Sequence, residues 1–210
     1  MVKKRPAENL VTSALLRTSE LFWSVFRTWS DGQEVPTNLQ NEGVERHRLT
    51  CLAGFIALDA SLARCWRLSF ASEWGETGTY LKALLAQPTE LDPFLAVTSP
   101  AFRRGQWMAT LRFLANTGDP LRFSPTFADV ATLLLVTSPS RLQDPEFVTF
   151  AQDLLRLQKL RNTCVHTGRA FTELEARESL RLLSRVGREL ETRLYPGLAP
   201  HRPTVTRRAA

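Results

Sequence analysis

Arg161, Asn162 and His166 stand close together in the run Leu160-Arg161-Asn162-Thr163-Cys164-Val165-His166-Thr167-Gly168. An imidazole moves protons near neutral pH. A guanidinium holds a phosphate and stabilises the charge that develops on it. A carboxamide can fix either group by hydrogen bonding. Together they suit cleavage of RNA by attack of its own 2′-hydroxyl on the adjacent phosphate. DNA lacks that nucleophile, so such a site selects RNA by chemistry alone. The reaction wants both a base and an acid, and one histidine supplies half. A two-fold dimer that pairs two copies of the run supplies the rest. The plainer alternative for His166 is a helix C-terminal cap, favoured there by the dipole.

The elements around the run explain how these side chains are held. Phe147, Phe150, Leu154 and Leu157 recur at three- and four-residue intervals, which is one face of a helix. Arg161 and Cys164 are the next positions on that stripe, so a guanidinium takes an inward place where the pattern calls for an apolar residue. A charge there needs a partner or a task. Asp59 falls on the apolar stripe of an earlier helix and is the candidate partner, in a structural rather than a catalytic role. Asn162 and His166, four residues apart, share a face while the helix lasts. Gly168 is the expected stop.

Arg, four intervening residues and His, with a polar residue directly after the Arg, resembles the motif of the HEPN superfamily (higher eukaryote and prokaryote nucleotide-binding). The likeness covers residues 140–195: a long helix ending at the motif, a short loop and a last amphipathic helix. Residues 1–139 resemble nothing beyond helical character. The resemblance implies a metal-independent endoribonuclease whose cleft forms between two HEPN domains, with no cofactor and RNA as substrate. Carried over residue by residue, it implies Arg161 for phosphate, Asn162 for positioning and His166 for proton transfer. It leaves a second function open: a non-catalytic module that binds nucleotide or RNA, or an assembly subunit of a prokaryotic defence or toxin–antitoxin system, with an antitoxin or defence protein as partner. In a third reading, Arg161 and His166 only cement a helical adaptor.

Composition agrees with an anionic ligand. Residues 140–210 hold 13 Lys or Arg against 8 Asp or Glu, whereas residues 1–139 hold 14 against 13. The basic excess therefore travels with the motif. Of 27 basic residues 23 are arginine, a preference that codon bias also produces. His47, His166 and His201 are scattered, and no metal-ligand spacing, phosphate-binding glycine loop or serine elbow occurs. Cys51, Cys65 and Cys164 lie in apolar helical patterns, as expected of reduced, buried thiols in a cytoplasmic protein. The basic start lacks an apolar stretch behind it, and no run of 18 apolar residues suggests a membrane span.

Periodicity predicts an all-α bundle: one helical domain over residues 1–195 and a flexible basic tail over 196–210. The expected HEPN-like core is accompanied by extra helices over 7–136, one of them N-terminal. Helices are expected at about 7–29, 44–74, 80–86, 100–116, 125–136 and 140–165. Gly75 to Gly78 is read as a break, and Ser99 and Ser138 as N-caps ahead of Pro100 and Pro139. Asp144-Pro145 can restart the later helix, since proline is tolerated in a first turn. The last helix begins at a capping box, Thr172-x-x-Glu175. Beside its apolar stripe run Arg177, Arg181, Arg185 and Arg188, an expected RNA-binding ridge whose plainer reading is a solvated face. Of the four only Arg177 has an acidic residue, Glu173, four positions before it.

Overall fold

The structure is a computed structural model that describes residues 6–31, 43–70, 74–98, 104–118, 124–166 and 172–190. Among them there are eight α-helices and no strand. The chain is an all-α bundle.

α1 (Pro6–Ser30) and α2 (Gly43–Cys65) pack closely along their lengths, and α2 continues into a π-turn over Trp66–Phe70. Their contact includes a buried polar joint. Ser19 and Ser61 share a hydroxyl hydrogen bond of 2.6 Å, Trp23 Nε1 donates to Ser61 Oγ at 3.0 Å, and Ser61 donates to the Ala57 carbonyl. Every member is hydrogen-bonded, so the cost of burying these polar groups is offset. Gly54 lets α8 (Glu173–Glu189) approach α2: a Cβ there would lie 2.7 Å from Leu183 Cδ1 and 2.8 Å from Phe26 Cδ2.

α3 (Trp74–Ala86), α4 (Asp92–Thr98) and α5 (Arg104–Ala115) form a second group, beside α6 (Phe127–Thr137) and α7 (Pro145–His166). Two differences from the periodicity reading arise here. Helix α3 runs through Gly75 and Gly78 rather than starting after them. Buried Trp74 anchors its first turn, with Nε1 donating to the Thr117 carbonyl at 2.9 Å, and tertiary packing outweighs weak helix propensity. Helix α4 and the 3₁₀ turn before it, Pro88–Leu91, have no counterpart in that reading. A helix of seven residues is too short to show a period.

Helix α6 is buried along nearly its whole length, from Phe127 to Val136, and is the axial helix of the core. It opens with a capping box, Thr126 with Asp129. Ser138 makes no side-chain cap, which corrects its expected role: Pro139 leads into a 3₁₀ turn, Pro139–Gln143, instead of an α-helix. The cap falls to Asp144, whose Oδ1 accepts from the amides of Glu146 and Phe147, and α7 restarts at Pro145 as expected. At α8 the Thr172–Glu175 capping box is present in full. One connected set of buried side chains runs from Trp23 on α1 to Leu190 after α8. The Ser99 cap, the Gly168 stop and the basic tail over 196–210 lie outside the described residues.

Helix α2 together with the start of its π-turn forms the one described segment apolar and long enough to cross a membrane, Arg46–Leu68. It is mostly buried against the other helices, as a core helix must be.

Candidate functional site

The motif occupies the last two turns of α7, and His166 is the final residue of that helix. The apolar stripe turns inward as its spacing requires: Phe147, Phe150, Leu154, Leu157, Leu160 and Cys164 are all buried. Arg161, on the same stripe, is half-buried and reaches across to α2. Its Nε and Nη2 donate to one oxygen of Asp59, at 3.1 and 2.9 Å. The guanidinium also lies 5.7 Å from the centroid of the Phe127 ring, within cation–π range. The expected partner is therefore the observed one. Burial pushes the Asp59 carboxyl above its usual range, with Arg161 opposing that shift.

Asn162 is exposed on the adjacent face, away from the Arg161–Asp59 pair. Its Oδ1 accepts from Gln158 Nε2 at 2.9 Å. Gln158 Oε1 in turn accepts from the Phe127 amide at 2.9 Å, which occupies a donor at the start of α6 that helical bonding leaves open. One residue thus serves both motif positions: Phe127 presents its ring to Arg161 and its amide to the Gln158–Asn162 pair. Neither Gln158 nor Phe127 was apparent as a supporting residue in the sequence. Gln158 stands four residues before Asn162, the spacing of a helical side-chain pair, and that was its only signal. The side chain of His166 lies outside the described residues; the backbone places it one turn beyond Asn162.

Beneath the motif the surroundings are inert. Cys51 Sγ donates to the Ala176 carbonyl at 3.7 Å, and burial, with Cys164 adding to it, pushes the Cys51 thiol up to about 12. Thiolate chemistry at neutral pH is thereby closed to it. Among the described residues no group of three metal-ligating side chains comes together.

The ridge on α8 is not uniform. Arg177 pairs with Glu173 at 2.5 Å, as its spacing suggests, and both side chains are well exposed. Arg181 and Arg188 are exposed, with Arg188 Nε donating to the Ser184 carbonyl at 3.3 Å. Arg185 departs from the expected ridge. It turns toward α7 and grips both oxygens of Asp153, each at 2.5 Å. Asp153 is only 2% exposed, so a buried carboxylate claims this guanidinium. Sequence spacing missed the pair because its partners lie 32 residues apart on different helices.

Comparison with protein-family models, with curated proteins and with solved structures yields no match to this chain.

Proposed function

We propose that this protein is a metal-independent endoribonuclease of HEPN type, with each active site completed by a second copy of the chain. The observation that carries the reading is the mounting of the motif. Arg161 is oriented by Asp59 and Phe127, and Asn162 by Gln158, at the terminus of a helix that His166 closes. Side chains held by such supports lose little further freedom when a substrate binds, which favours catalysis by positioning.

In the proposed reaction His166 takes the proton from a ribose 2′-hydroxyl, and the oxygen attacks the neighbouring phosphorus. Arg161 offers its guanidinium to the phosphate oxygens as negative charge builds on them. The 5′-oxygen of the next nucleotide leaves with a proton from His166 of the second copy. The chemistry needs no metal.

A second reading is favoured by one observation. Two of the Arg161 donors are engaged by a single Asp59 oxygen, as in a structural ion pair. A module that binds RNA without cutting it needs no more than that, and it can equally serve as a subunit of a defence or toxin–antitoxin assembly.

RNA incubated in EDTA with wild-type protein or with His166→Ala separates the two. Cleavage by the wild type and retained binding without cleavage by the variant support the enzyme. Binding without cleavage by both supports the module.

A further inference from the structure

The orientation of the Asn162 carboxamide is set from a backbone amide on another helix. The Phe127 N–H can only donate, and it donates to Gln158 Oε1 at 2.9 Å. That bond fixes the Gln158 amide, since its nitrogen end would meet the N–H donor to donor. Gln158 Nε2 is thereby turned toward Asn162 and donates to Oδ1 at 2.9 Å. With the oxygen directed to Gln158, the free end of Asn162 is Nδ2, a group that donates. Asn162 is exposed, and among the described residues Nδ2 has no acceptor. The relay has a firm origin: Phe127 is fully buried in the first turn of α6, beside the capping box of Thr126 and Asp129.

We propose that Asn162 binds RNA directly, donating from Nδ2 to a non-bridging phosphate oxygen, and that Gln158 is the positioning residue that holds it in that sense. The inference rests on RNA being the ligand of the proposed active site. Phosphate oxygens are the charged acceptors of a nucleic-acid strand, and a hydrogen bond to a charged group is stronger than one to a neutral group. Arg161 leaves a place for this second donor. Asp59 already holds its Nε and Nη2, so Nη1 is the end of the guanidinium without a carboxylate. Asn162 is the next residue, about 100° further round the helix, so the two donors face different oxygens of the strand. The same polarity argues against another task. A carboxamide that steadies a protonated imidazole must accept from it, and the Asn162 oxygen faces Gln158 instead. Asn162 therefore acts on the phosphate rather than on the proton carrier.

The test uses the full chain and a fluorescent 2′-O-methyl RNA oligonucleotide, which the 2′-hydroxyl route cannot cut, with anisotropy read over a range of salt. Asn162→Ala should bind about tenfold more weakly with an unchanged salt slope, since a neutral donor is lost and no charge. Asn162→Asp still accepts from Gln158 but presents an oxygen outward, and it should bind more weakly again. Gln158→Glu should weaken binding with Asn162 intact. Its carboxylate accepts from the Phe127 N–H and from Asn162 as well, which turns the Asn162 oxygen outward. Added to Asn162→Ala, Gln158→Glu should cost little further, because its effect runs through Asn162. A single neutral methylphosphonate linkage, moved along the strand, locates the contact: at one position wild type and Asn162→Ala should bind alike. Wild-type affinity in Asn162→Ala or Asn162→Asp, or a deficit that persists at every methylphosphonate position, would overturn the phosphate contact. A wild type that binds this probe but never cuts RNA refutes the nuclease alone, and one that does not bind RNA at all overturns both.

Discussion

Arg161 and Asp59, 102 residues apart in sequence, meet through two hydrogen bonds to one carboxylate oxygen. The second oxygen of Asp59 takes no part in either bond, and burial holds the carboxyl above its usual range despite the guanidinium. The folded protein therefore binds the Asp59 proton more tightly than the unfolded chain does. Its contribution to stability is complete below the ordinary carboxylate range and is lost as pH rises through the elevated folded value. Wild type should thus lose ground to Asp59→Asn as pH rises from about 4 into the elevated range of this carboxyl, read in urea melts. A wild type that gains on the variant over that range would show that ion pairing, rather than burial, governs this carboxyl.

The two arginines Arg181 and Arg185 are four residues apart and should respond differently to substitution. Arg185→Ala strands the buried Asp153 carboxylate and should cost about 2 kcal/mol or more in chemical denaturation. Arg181→Gln should leave stability within about 0.5 kcal/mol of wild type while weakening RNA binding and lowering its salt slope. Equal stability losses at both positions would contradict the specific engagement of Arg185 by the buried Asp153.

Glycines test the packing account in opposite directions. At Gly54 a methyl group meets Leu183 and Phe26 below 3 Å, and Gly54→Ala should lower stability by about 2 kcal/mol. At Gly78 nothing lies within 4 Å, and Gly78→Ala inside α3 should raise stability by up to about 1 kcal/mol. Urea midpoints of the two variants on the same side of wild type would contradict the α1–α2–α8 contact or the continuity of α3.

Much of this was legible in the sequence because the strongest signals are local. The Thr172–Glu175 box, the Asp144-Pro145 restart and the inward stripe of α7 each depend on residues within a few turns of one another. Asp59 was legible for a different reason: a carboxylate on an apolar stripe requires a cation, and Arg161 was the misplaced cation available. Contacts between helices were not legible where nothing in the pattern is out of place. Arg185 looks like any arginine on a polar face until Asp153 is seen beneath it. Gln158 looks like surface until the Phe127 amide is found at its side chain. Gly75 and Gly78 misled because intrinsic propensity is weak against the anchoring of one buried tryptophan.

A shared active site requires a surface on which two copies meet beside the motif. Val165 and Leu174, 45% and 76% exposed, flank the link between α7 and α8 and are apolar where solvent would favour polar residues. The wild type should sediment as a dimer, and Val165→Asp combined with Leu174→Asp should sediment as a folded monomer without RNA cleavage. A wild-type monomer that cuts RNA would exclude the shared site.

The most direct measurement of the central claim is the chemistry of the cut end. Mass spectrometry of RNA fragments produced in EDTA should find 2′,3′-cyclic phosphate, the product of attack by the 2′-hydroxyl. RNA with a single 2′-deoxy sugar at the scissile position should bind and stay intact, and His166→Ala should yield no fragments while retaining its circular dichroism spectrum. Fragments with a free 3′-hydroxyl, cleavage that appears only with Mg²⁺, or cleavage that survives His166→Ala would contradict the account.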